Sequence, residues 1–231
     1  MALCRRLYDL VLSPFPAADR ALEIGCGRGG GAAFLLEDRD RLAYLGLDLS
    51  PEHVRACRRR FLGRGGAHFA VADAGRLPVP AAAFDAAFSL EACHHFEDIG
   101  AFYREVARAL RPGGGFFLAG IWPSADASAA PLEAAGFTVM ERADISAGVV
   151  ASLARTSALR ERLVDSLEMP ERFRPFLLSW AGVRGSGSYE ELRSGERERH
   201  DHGDRRDAGY AAGEALDALL LRGRLDRAAQ G

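Results

Sequence analysis

The chain has 231 residues, 48% of them apolar and 27% charged, with a formal net charge of −2. That length suits one folded domain of upper-middle size with a substantial core. The near-neutral balance argues against a nucleic-acid protein, which carries a basic surplus or stripe, and the apolar runs fall short of the roughly 18–20 residues that cross a bilayer.

All 30 cationic residues are Arg; Lys and Asn are absent and Gln occurs once, at Gln230. The arginines do not gather into a phosphate-sized cluster, so this reads as the bias of a GC-rich genome. Cys4, Cys26, Cys57 and Cys93 are scattered without a CxxC pair. That usage fits a reducing cytoplasm, with no disulfide framework and no metal site. The N-terminus lacks the long apolar stretch of a secretory signal.

In chain order, strand signals fall at Ala21–Ile24, Leu42–Leu47, Ala67–Val71, Phe84–Leu90, Phe116–Trp122 and Phe137–Arg142. Helices alternate with them: Gly30–Leu36, a helix opened by Ser50-Pro51-Glu52 and running through Arg60, Ile99–Leu110 stopped by a RPGGG turn, and Ala129–Ala135. Ser50 can cap its helix, and Pro51 stands at the first helical position, where its missing N–H is harmless. Strand–helix alternation implies parallel pairing by right-handed crossovers, hence an α/β, doubly wound, mostly parallel sheet. Ligands of such sheets lie beyond the carboxyl ends of the strands, at the point where strand order reverses.

The chemistry-bearing residues fall at those ends. Glycines 25, 27 and 29 let a loop turn sharply off the first strand and bring backbone close to a ligand. Gly25, Gly27 and Gly30 also satisfy the dinucleotide GxGxxG pattern. Asp48, 23 residues beyond Gly25, could accept from the ribose hydroxyls of a nicotinamide nucleotide or of an adenosyl ligand. Three features favour the adenosyl ligand. Glu23 stands where a carboxylate compensates an ammonium or sulfonium but would repel a pyrophosphate. Asp73 is a second acid at a strand end, suited to an adenine amino group. The LRPGGG turn at Leu110–Gly115 has no dinucleotide-specific purpose.

From Ala21 to Trp122 the segments LEIGCGRGG, LGLDLSPEHV, ADAGRLPVPAAAFD, FSLEACHHFED and VARALRPGGG, in that order and spacing, resemble a class I S-adenosylmethionine-dependent methyltransferase of the small-molecule type. The resemblance implies a Rossmann-like methyltransferase fold and S-adenosyl-L-methionine as cofactor. By it, Glu23, Gly25, Cys26, Gly27 and Gly29 would line the methionine and ribose end. Asp48 would hold the ribose hydroxyls, with Leu49 against the adenine and Asp73 and Ala74 at its edge. Ser89 and Leu90 would lie under the methionine moiety.

Methyl transfer from a sulfonium is an in-line displacement, so an enzyme mainly supplies proximity and alignment. An alcohol acceptor must also lose a proton, for which an imidazole is suited. The pair His94-His95 resembles that of natural-product O-methyltransferases, making one of the two the candidate base, with His95 favoured. The acid that assists at the end of strand five in those relatives is missing from Ala119-Gly120-Ile121-Trp122. Cys93 reads as a packed apolar thiol, and His53 and His68 as ordinary helix and strand residues. The His200–His202 pair has no nearby partner in sequence for a metal.

The expected organisation is a helical N-terminal extension (1–18), a cofactor-binding core (19–144), a C-terminal helical lid over the acceptor (145–194) and a partly disordered tail (195–231). The lid comprises helices at Val149–Leu167 and Phe173–Trp180, with Phe173, Phe176, Leu177, Trp180 and Tyr189 as pocket candidates. The segment Ala215–Leu225 is either a seventh strand or a helix. The expected partner is a small-molecule acceptor; a homodimer is compatible, and nucleic acid and membrane spans are not expected. The function implied is O-methylation of a sugar, polyketide or lipid alcohol in bacterial secondary metabolism, including antibiotic biosynthesis. C-methylation of a terpenoid or polyketide carbon, and a non-methylating cyclase or binding module, stay open beside it.

Overall fold

A computed structural model describes residues 18–37, 39, 41–122, 125–194 and 217–225. The expected N-terminal extension, apart from residue 18, and most of the tail, with His200 and His202, lie outside the described residues.

Seven strands form one sheet in the order β3-β2-β1-β4-β5-β7-β6. They are β1 (Arg20–Ile24), β2 (Ala43–Asp48), β3 (Ala67–Val71), β4 (Phe84–Leu90), β5 (Leu110–Trp122), β6 (Phe137–Asp144) and β7 (Asp217–Leu225). The pairs β1–β2, β2–β3, β1–β4 and β4–β5 are parallel. The chain steps outward from β1 through β2 and β3, then crosses back to place β4 on the other side of β1. That reversal puts the switch point at the carboxyl ends of β1 and β4. The apolar run of β4 follows from its central position, since both of its faces are covered.

The helices of the sheet unit are α1 (Gly30–Leu35), α2 (Pro51–Arg60), α3 (Ile99–Ala109) and α4 (Ala125–Ala134). Ser50 caps α2 by accepting from the His53 N–H, Glu52 stands in its first turn, and Arg58, Arg59 and Arg60 occupy its last. This charge order suits the helix dipole. Val54 and Cys57 face the sheet, and Arg58 donates twice to the Phe69 carbonyl of β3, at 3.0 and 2.9 Å. Asp98 caps α3, which buries Phe102, Tyr103, Val106 and Ala109 against the sheet.

Two expectations change. The RPGGG segment is part of β5 rather than a turn before it. Register runs from Phe84↔Leu110 to Ala86↔Gly115, so β5 takes five steps where β4 takes two. Gly113 has φ +80°, and a Cβ at Gly114 would lie 2.8 Å from the Arg111 carbonyl oxygen, so glycine lets the ladder continue through a bulge. The second concerns the C-terminal alternative. It resolves as a strand: β7 inserts between β5 and β6, and Leu225 is buried.

A second compact unit contains α5 (Ser146–Asp165), α6 (Arg174–Trp180) and α7 (Gly187–Ser194). Arg174 of α6 pairs with Asp165 at 2.8 Å and Glu161 at 3.4 Å, and Arg160 donates to the Ala181 carbonyl at 2.7 Å. Phe176 and Trp180 stand exposed on this unit, at 62% and 79%. No helix among the described residues is long and apolar enough to cross a membrane.

Candidate functional site

The loop after β1 is held by β2. The N–H groups of Gly25 and Cys26 both donate to the Leu47 carbonyl, at 2.8 and 3.0 Å. Gly25, Gly27 and Gly29 all have positive φ, at +79°, +52° and +73°. Their surroundings differ. A Cβ on Gly25 would lie 2.3 Å from the Ala92 methyl and one on Gly29 2.8 Å from the Phe61 ring, whereas one on Gly27 would meet no atom within 4 Å. Two glycines are thus required by packing as well as conformation, and the third faces open space.

Asp48, at the end of β2, is tied into this loop. Its Oδ2 accepts the Gly27 N–H at 2.7 Å, while its Oδ1 accepts the Ser50 N–H at 2.9 Å and lies 3.1 Å from His53 Nδ1. Asp73, after β3, accepts the Gly75 N–H at 2.8 Å and is otherwise exposed. The turn that follows is fastened by Arg108 of α3, which donates to the carbonyls of Leu77 and Val79 and to Glu105. A cavity of about 270 Å³ opens between these strand ends, and Gly25, Asp48, Leu49, Asp73, Ala74 and His95 line it.

Glu23 lies beneath, 3% exposed, and receives the phenolic hydrogen of Tyr44. Burial pushes its carboxyl up to about 8, the charge of Asp48 adding to the rise and the Tyr44 hydrogen bond opposing it. Gly46, directly opposite Glu23 in the β1–β2 ladder, is required by packing, since a Cβ there would lie 2.8 Å from the Phe69 ring and 3.0 Å from the Cys26 sulfur.

After β4 the backbone turns through Glu91, at φ +53°, into a 3-10 turn over Cys93–His95. Strain of this kind at a strand end is a frequent mark of a functional site. The two imidazoles lie 4.1 Å apart between ring centres, tilted by 55°. They differ in environment. His95 is exposed and lines the cavity, whereas His94 is half-buried with its Nδ1 lacking a protein partner. Burial, with the charge of His95 adding to it, pushes His94 down to about 4. Burial also pushes the Cys93 thiol up to about 12, which suits a packing role. No group of metal-binding side chains occurs among the described residues.

Residues 22–118 match the family model for a methyltransferase domain. The fatty-acid O-methyltransferase of Mycolicibacterium smegmatis is 34% identical over 181 residues, 78% of this chain and 65% of that protein. The phthiotriol/phenolphthiotriol dimycocerosates methyltransferase of Mycobacterium tuberculosis is 32% identical over 179 residues, 77% of this chain and 66% of that protein. The chain carries a class I methyltransferase domain over residues 22–118. It spans just under two thirds of the length of these curated relatives. Among solved structures, a protein from Galdieria sulphuraria superposes with a TM-score of 0.75 at 14% identity, covering 96% of this chain and 86% of that one. The cyclase SpnF superposes with a TM-score of 0.73 at 22% identity, covering 96% and 81%. Both likenesses concern the fold.

The cavity of this domain fits the S-adenosylmethionine that its family uses. Asp48 offers an acceptor to ribose, and Leu49, 72% exposed beside it, offers an apolar face to a base. Asp73 offers a second acceptor. Ser89 Oγ and His94 Nδ1, on residues outside the cavity lining, are buried without a protein hydrogen-bond partner.

Of the thirteen site residues expected from sequence, six line the cavity. Glu23, Cys26, Ser89 and Leu90 are buried, Gly27 and Gly29 shape the loop, and His94 stands behind His95. Tyr44 and His53 were missed. A Tyr inside a core strand needs a partner for its hydroxyl, which was a usable signal for Tyr44. For His53 the signal was its place in the first turn of a helix that starts three residues after Asp48.

Proposed function

We propose that the protein is an S-adenosylmethionine-dependent O-methyltransferase whose acceptor is a lipid hydroxyl. The observation that carries this reading is the presence of His95 in the cavity that also exposes Asp48, Leu49 and Asp73. The lipid class is supported by the relatives, named for fatty-acid and dimycocerosate methylation. A role for the helical segment 145–194 as cover for the acceptor is part of the proposal, and its exposed Phe173, Phe176 and Trp180 suit an apolar ligand. The compartment is taken to be the reducing cytoplasm, which suits the buried free thiols Cys26, Cys57 and Cys93. A place in natural-product or antibiotic biosynthesis rests on the His94-His95 resemblance alone.

When bound, the cofactor supplies a methyl group activated on a sulfonium. Asp48 and Asp73 hold and orient the adenosyl end through their free acceptor capacity, and Glu23 balances positive charge from below the loop. His95 would take the acceptor's hydroxyl proton and pass it on to water. His94, held neutral, packs against the working ring. In this reading His95 acts as a simple general base, without a relay carboxylate.

The test is transfer of labelled methyl from S-adenosylmethionine to a panel of long-chain alcohols, hydroxylated polyketides and free fatty acids. Labelled ether on an alcohol supports the reading. Labelling of fatty acids alone, unaffected by His95→Ala, would replace it with carboxyl methylation, because a carboxylate has no proton to lose. Tight binding of S-adenosylhomocysteine without label in any acceptor would point to a non-methylating member of the fold.

A further inference from the structure

Asp48 is more heavily engaged than a residue reserved for a ligand needs to be. A carboxylate has about four lone-pair positions, two on each oxygen. Oδ1 is filled by the Ser50 N–H at 2.9 Å and by His53 Nδ1 at 3.1 Å. Oδ2 accepts the Gly27 N–H at 2.7 Å and keeps one position. Since a carboxylate offers only acceptors, the Nδ1 of His53 must carry the hydrogen, which fixes the tautomer of that ring. The Ser50 and Gly27 contacts are backbone contacts, part of the turn into α2 and of the glycine loop. The His53 contact is the one made by a side chain that can leave. The Asp48 side chain is 12% exposed and the His53 side chain 44% exposed.

We infer that His53 is a positioning residue that saturates Oδ1 of Asp48 and leaves the cofactor's ribose a single acceptor, on Oδ2, for one of its two hydroxyls. This inference rests on the cofactor reading above and sharpens it: recognition of the ribose is one-sided, and the side is chosen by His53. The second hydroxyl is bound by water or by other groups, and its removal costs little. Replacing His53 opens the second position and makes recognition two-sided.

The experiment is calorimetric binding of S-adenosylhomocysteine and of its 2′-deoxy and 3′-deoxy analogues to the full chain. In the native protein one deoxy analogue binds about 10-fold or more weaker, the loss of a hydrogen bond to a charged group, while the other changes by less than about 3-fold. In His53→Ala the tolerated deletion also becomes costly, so the ratio between the two analogues moves toward one. In His53→Asn, whose amide N–H can replace the Nδ1–H, the original ratio returns. A structural role for His53 would weaken all three ligands together and leave the ratio unmoved, which overturns the proposal. Equal losses for both analogues in the native protein overturn it as well, and if His53→Ala then tightens the parent ligand, the ribose displaces the ring. Failure of S-adenosylhomocysteine to bind the native protein would instead overturn the cofactor reading.

Discussion

The phenolic hydroxyl of Tyr44 donates to the carboxylate of Glu23, and both side chains are sealed from water beneath the glycine loop. A buried acid in this state keeps its proton near neutrality: burial raises the carboxyl from its ordinary 4.5 to about 8. A cationic ligand above it favours the ionised form, so binding at pH 7 should expel up to one proton. Calorimetry of S-adenosylmethionine binding in two buffers of unequal ionisation enthalpy should give two different apparent enthalpies. Identical enthalpies would mean that Glu23 does not change state.

The same pair sets a pH dependence of stability. With the folded value above the unfolded one, the contribution of Glu23 is complete below about pH 4.5 and is lost as pH rises through about 8. Thermal melts of the ligand-free protein should therefore show Glu23→Gln gaining on the native protein between pH 5 and 9. Cofactor affinity of the native protein should rise over the same range, while that of the variant stays flat. A parallel pair of melting curves would count against the buried-acid account.

The two histidines should separate in kinetics. Replacing His95 with Gln removes the group that faces the cavity and should lower kcat for an alcohol acceptor by about 100-fold or more, with KM little changed. His94 sheds its proton near 4 and stays neutral at working pH, so His94→Phe, which keeps a ring against His95, should retain most of the rate. A larger loss in His94→Phe than in His95→Gln would reverse the assignment.

Gly25 is confined by its neighbour. A Cβ there would lie 2.3 Å from the Ala92 methyl, on a backbone with φ +79°. Gly25→Ala should destabilise the fold by about 2 kcal/mol or more and abolish cofactor binding. Adding Ala92→Gly removes the collision but not the backbone strain, so the double variant should recover part of the lost melting temperature. No recovery would place the cost in the backbone alone.

Arg108 fastens the turn after Asp73 through the carbonyls of Leu77 and Val79 while pairing with Glu105. Its fork geometry is not available to an ammonium, so Arg108→Lys should lower the melting temperature and weaken cofactor binding together. The hydrogen bonds from Arg108 hold the Glu105 carboxyl below its ordinary range. The associated stability is thus present above about pH 4.5 and lost as the solution is acidified through the lower folded value. Acid melts of Arg108→Lys should be flatter than those of the native protein.

The sequence by itself determined whatever depends on residues close along the chain. Alternating strands and helices follow from local periodicity, and Ser50, Pro51 and Glu52 announced the start of α2. The glycines at 25, 27 and 29 and the acids at 48 and 73 stood where strands end, and parallel topology carries strand ends to one edge. Only tertiary structure decided what depends on distant pairing. The insertion of β7 between β5 and β6 joins segments separated by the whole helical unit, and no local pattern specifies a neighbour that far away. The bulge that absorbs RPGGG exists because β4 lies alongside it. Tyr44 under Glu23, His53 on Asp48, and the burial that silences His94 while leaving His95 open are matters of surroundings. Residue type fixes what a side chain can donate or accept, but packing fixes which partner it meets and whether water reaches it.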